Sequence, residues 1–147
     1  ELEWIEQDFD DQPWTTGRTG IGFDTRGRLT PLVNLDLLDS MRGVNASAYV
    51  RVPFQVENPQ TFDALQLQMR YDDGFVAYLN GVEILRRNAP DDLKWNSNAT
   101  ESRFTSQAPN VDEFDVSHHI NRLQAGDNIL AIHALNRSRN GRAAGGV

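Results

Sequence analysis

The chain has no cysteine. That excludes a disulfide framework and a thiolate zinc site. It also lacks any apolar run long enough to approach a membrane span. Positive charge is scarce: 14 basic residues stand against 21 acidic ones, a net charge of −7. A protein that grips a nucleic-acid backbone usually carries a basic excess, so nucleic acid is not an expected partner. A neutral ligand is compatible with this balance. The opening Glu1-Leu2-Glu3 shows no charged-then-apolar leader, and the expectation is a chain that starts after processing or at an excised domain boundary. Catalytic signatures are missing as well. There is no G-x-S-x-G elbow, no H-E-x-x-H pair and no twelve-residue EF-hand loop. Gly20 to Phe23 ("GIGF") has neither the Gly-Lys-Ser/Thr ending nor the preceding apolar strand of a phosphate loop.

What remains is a pattern of short strands in a chain of 147 residues, a length that suits one domain, 1–147. "SAYVRVPFQV" (47–56) reads as a strand, and Pro53 places it at an edge or bulge. In "LQLQMRY" the residues Leu65, Leu67, Met69 and Tyr71 alternate with Gln66, Gln68 and Arg70, the mark of a half-buried antiparallel strand. Asp72-Asp73-Gly74 reads as a turn, "FVAYL" as the returning strand, and Asn80-Gly81 as a type I′ hairpin turn. These pieces predict a three-strand meander. "EFDV" (113–116) is a further short strand. The nearly continuous apolar run from Ile129 to Leu135 suits a strand buried on both faces. Leu35, Leu38 and Met41, followed by Gly43, predict about two turns of helix, the one helix of note. The whole is an all-β chain without βαβ alternation, an antiparallel β-sandwich or jelly roll with one short helix. Residues 137–147 carry no core residues and read as a flexible tail or an incomplete closing segment.

The chemistry-bearing residues cluster in two places. A long polar loop, 86–103, carries Trp95 among Arg86, Arg87, Asn88, Asn96 and Asn98. An indole covers the apolar face of a sugar ring, and Arg and Asn meet its hydroxyls. The other reading has Trp95 fold back to cap the core. The acidic pairs Asp72-Asp73 and Asp10-Asp11 suggest structural calcium, since hard cations want clustered oxygens. Ordinary turn chemistry is the preferred reading of both pairs. His118 and His119 point to opposite faces of a strand and cannot easily share a metal. His133 reads as a core histidine. Glu57, Glu83, Glu101 and Glu113 are scattered, which gives no carboxylate pair of the kind a glycosidase needs. The expectation is a non-catalytic protein.

Leu79-Asn80-Gly81-Val82, Phe114-Asp115-Val116 and the run from Leu123 to Ile132 ("LQAGDNILAI") occur in the order seen in galactose-binding-domain-like jelly rolls. They resemble the sugar-binding domains at the front of family 2 glycoside hydrolases. Phe9-Asp10-Asp11 with Trp14, and "YDDGFVAYLNG" (71–81), resemble modules of large secreted bacterial proteins. Together the likenesses touch most of 9–136. They imply a non-catalytic polysaccharide- or oligosaccharide-binding module, extracellular or at the bacterial cell surface, beside catalytic domains of a larger protein. They also imply that structural calcium is common. Those families continue past the "LN" of Leu135-Asn136 into a closing strand, which residues 137–147 do not show as a sequence pattern. The alternative is a structural or protein-interaction spacer with the same sandwich.

Overall fold

The computed structural model describes residues 2–104, 106–140 and 143–145. Among these the chain forms an all-β sandwich. A four-stranded antiparallel sheet is its centre, in the order β3 (Ser47–Val56), β8 (Gly126–Leu135), β5 (Gly74–Leu79), β6 (Val82–Arg87). A two-stranded antiparallel ribbon, β4 (Gln66–Met69) with β7 (Asp112–Asp115), packs on one face. A small third sheet pairs β1 (Ile21–Asp24) in parallel with β2 (Leu35–Asp36) and antiparallel with β9 (Ala143–Gly145).

The strict alternation of β4 decides which side it shows the core. Leu67 and Met69 are buried, Gln66 and Gln68 exposed, and Leu65 and Tyr71 pack against the same cluster. That cluster joins Val50, Phe75, Ala77, Ile84, Val116 and Ile132. β5 and β8 are covered on both faces, as the run 129–135 predicts. The other face of the central sheet holds Trp4, Ile5, Val76, Tyr78 and Ala131, with Tyr49, Trp14 and Leu93 packed around them.

Asn80-Gly81 makes the expected turn, with φ of 49° and 83° at the two residues. The Asn80 side chain also receives the Ile129 N–H at 2.8 Å and donates to Asn128 Oδ1 at 2.8 Å, so the hairpin is fastened to β8. Pro53 lies on an edge strand, as expected.

Three expectations are corrected. The meander does not form, because β5 is flanked by β8 and β6 and has no free edge for β4. Asp72-Asp73-Gly74 instead carries the chain from one layer to the other. The helix is a single turn, α1 (Leu38–Met41), because Leu35 and Asp36 pair with Ile21 and Gly22 instead of joining it. The stretch after Asn136 is tied in. Arg139 O accepts from Gly43 N at 2.6 Å, and Ala143–Gly145 form β9 against β1. Such a short Ala-Ala-Gly strand is held by backbone bonds and leaves no alternating pattern to read. The rest of the expected tail (141, 142, 146 and 147) lies outside the described residues.

Candidate ligand-binding loop

Residues 88–99 form no regular element, so their buried backbone groups need partners from elsewhere. The chain supplies them at Trp95 and Ala99, and the side chains of the loop's asparagines add further ties. Ser47 Oγ donates to Trp95 O at 2.8 Å, and Ala46 N donates to Asn96 Oδ1 at 2.6 Å. Asn98 Nδ2 donates to Arg137 O at 3.0 Å, and Ala99 N to Asn136 O at 3.0 Å. At the start of the loop Asn88, with φ 49°, donates its amide to Asp73 O at 2.7 Å. Gly74 lets that start lie close. A Cβ there would stand 2.8 Å from both Arg87 O and Asn88 O. His133 makes a hydrogen bond to the Trp95 backbone from beneath.

The loop is therefore anchored along its length, yet the Trp95 side chain is left in solvent, 68% exposed. Of the two readings of Trp95, the structure takes the outward one. The polar residues expected to join it do not. The amides of Asn88, Asn96 and Asn98 are engaged with backbone. Arg86 and Arg87 face opposite sides of β6. Arg86 forks onto Glu83 at 2.6 and 2.7 Å and donates to Pro90 O at 2.9 Å. Arg87 lies 4.9 Å over the Phe114 ring on the other face. Residues three apart in a regular strand point to opposite sides. A bulge puts Glu83 beside Arg86, because the register jumps from Ala77↔Leu85 to Tyr78↔Glu83 and Ile84 is the extra residue.

A groove of about 700 Å³ runs along the free edge of β3. Trp14, Tyr49 and Arg51 line it, and it reaches Asn45 and Ser47, the residue bonded to Trp95. Tyr49 stacks on Trp4 at 4.1 Å and lies 6.4 Å from Trp14. Arg51 is buried and fixed by Asp11 at 2.7 Å and Glu6 O at 2.8 Å. Nothing in the sequence marks this groove, since its wall at 11–17 has neither a 2- nor a 3.6-residue period.

The residues of the acidic pairs are engaged with protein groups. Asp73, at φ 72°, receives the Arg103 N–H on Oδ1 at 2.9 Å and the Arg137 N–H on Oδ2 at 2.7 Å. Both its oxygens serve the backbone of two distant segments. Burial, with Asp73 alongside, pushes the Asp72 carboxyl up to about 6. Asp10 accepts from Gln12 N at 3.1 Å and Asp11 holds Arg51, away from the other pair. Among the described residues no three His, Cys, Asp or Glu side chains group as metal ligands. His118 and His119 lie on a 3-10 helix (Ser117–Arg122), not a strand, with ring centroids 4.0 Å apart. His133 is buried as expected. Burial lowers its pKa to about 4, and Nε2 has no partner among the described residues.

No family model matches the chain, and no curated protein matches it. The solved structures similar to it in part include two glycosidases. One is a β-D-mannosidase from Dictyoglomus thermophilum, at 20% identity and TM-score 0.40, covering 62% of this chain and 9% of that one. The other is a β-glucuronidase from glycoside hydrolase family 2, at 15% identity and TM-score 0.47, covering 91% of this chain and 12% of that one. The chain thus spans about a tenth of either enzyme's length. At these scores neither likeness transfers a ligand or an activity.

Proposed function

We propose that the chain is a non-catalytic carbohydrate-binding module of the galactose-binding-like, jelly-roll kind. It holds a polysaccharide beside catalytic domains of a larger extracellular or cell-surface bacterial protein. The observation that carries this reading is the exposed indole of Trp95 on a loop fastened at the Trp95 carbonyl and through the Asn96 side chain beside it. A platform held in place before binding loses little entropy when a sugar stacks on it. The groove beside Ser47, with Trp14 and Tyr49 in its wall, supports a ligand longer than one ring. Among the described residues its one carboxylate, Asp11, is paired with Arg51. The groove therefore offers no second acid for glycoside cleavage. Weak attachment per site is raised by tethering.

Affinity electrophoresis against a panel of neutral and acidic polysaccharides tests the reading. Retardation by at least one glycan, lost in Trp95→Ala and reduced in Trp14→Ala, is the expected result. Unretarded migration on every glycan would sink it in favour of a structural or protein-interaction module.

A further inference from the structure

A second concavity, of about 520 Å³, opens on the opposite side of the sheet from His133, the residue that reaches the Trp95 loop. Its floor and walls are aliphatic: Ile21, Leu29, Leu32, Val52, Val111 and Leu130. Leu32 and Val111 are left 37% and 44% exposed at its mouth. One wall is fixed by backbone. Gly20, at φ 93°, lies so close to Leu32 O that a Cβ would collide with it, and Gly20 O accepts from Asn34 N at 2.7 Å. That wall therefore does not depend on a mobile side chain to hold its place.

Among the described residues, Arg70 is the one charged residue in its lining. Its Nε donates to Pro109 O at 2.8 Å, which orients the guanidinium, and no ion pair engages it among the described residues. Two nearby arginines are occupied: Arg103 pairs with Asp112 at 3.0 Å, and Arg87 covers Phe114. The polar amides at the rim are occupied too. Asn34 donates to Thr19 O at 2.6 Å, and Gln68 donates to Glu113 at 3.0 Å. A lone oriented guanidinium at the mouth of an aliphatic cavity, in a chain of net charge −7, selects an anion with an apolar body.

We propose that this cavity binds an amphiphilic monocarboxylate, with the Arg70 Nη nitrogens on the carboxylate and the chain or ring of the ligand against Ile21, Val52 and Leu130. A uronate sugar fits less well. Among the described residues no aromatic ring lines the cavity to cover a pyranose face, and its hydroxyls would meet amides already bonded to protein.

Decanoate, below its micellar concentration, is the probe. Calorimetry of the whole chain is expected to show saturable binding at one site. Methyl NMR is expected to shift Ile21, Leu29 and Leu130 together. Arg70→Gln, a change at an exposed side chain, should weaken decanoate by about tenfold, the usual size of a charge-assisted contact. Arg70→Lys should fall between. Decanol should bind the native protein about as weakly as decanoate binds Arg70→Gln. Retardation by glycans should be unchanged in Arg70→Gln, which separates this site from the Trp95 platform. Absence of saturable binding, equal decanoate affinity in Arg70→Gln, or galacturonate shifting the same methyls in preference to decanoate would each overturn the assignment.

Discussion

The two faces of the central sheet are covered by different means. One is sealed by a regular ribbon, β4 with β7, over a cluster of aliphatic residues and Phe75. The other is covered by irregular chain, the N-terminal segment and the 88–99 loop, over Trp4, Tyr49, Tyr78 and His133. The first face is held mainly by close packing. The second needs polar fasteners at every step, since irregular backbone brings donors and acceptors that must be satisfied. A fastened irregular covering can carry an outward aromatic such as Trp95, whereas the outward residues of the ribbon, Gln66 and Gln68, bond to Glu113 and to each other.

The comparison can be broken from either side. The largest effect belongs to the packed face. Phe75 is fully buried there, and Phe75→Ala should lower stability by about 3–5 kcal/mol in urea unfolding. A loss under about 1 kcal/mol would mean that the ribbon does not seal a core.

Next comes a pair of buried titrating groups with opposite signs. The Asp72 carboxyl, raised to about 6, destabilises the fold as pH rises from about 4 to 6, because the folded form holds the proton longer than the unfolded chain. His133, lowered to about 4, does the reverse. The unfolded chain takes up its proton first, so stability falls as pH drops from about 6.5 to 4. Each amounts to at most about 3 kcal/mol, and over the shared window the two oppose one another. Asp72→Asn should therefore expose the histidine. The variant should gain stability at neutral pH and then lose it steadily on acidification towards pH 4, while the native chain changes little. Parallel curves of melting temperature against pH for the two proteins would contradict this.

A smaller effect tests the fasteners. Ala46 is buried and its N–H has Asn96 Oδ1 as acceptor. Asn96→Ala leaves that donor bare and should cost about 1–3 kcal/mol. It should also raise hydrogen exchange across 88–99 without touching β4 or β7. The smallest effect is at the platform itself. Trp95→Ala should change stability by no more than about 0.5 kcal/mol, as suits an exposed side chain, even where it abolishes glycan retardation.

The difference between the faces also explains what could be read from the sequence. The alternation of 65–71 reports burial on one side directly, and it located the packed face. It does not report a partner, because a half-buried strand looks the same beside β5 or beside β7. Asn80-Gly81 encodes its own turn, since few other pairs accept positive φ twice. Asn96 and Asn98 have the donors and acceptors of ligand residues, but the backbone of their own fold uses them. Nothing local marks that use, because Ala46 and Arg137 lie far away in sequence. Trp95 was found by its composition, and only its exposure settled its direction. The cavity around Arg70 draws its walls from residues spread between Thr19 and Leu130, and no single stretch carries it.

Gly74 sets the clearance between β5 and the beginning of the 88–99 loop. A lone methyl at that position would act as a wedge, prying Arg87 and Asn88 outward. Because the loop is stiff, the shove would travel along it rather than dissipate. The tilt of an indole twenty-one residues downstream is thus governed by the hydrogen atom that this residue has in place of a side chain.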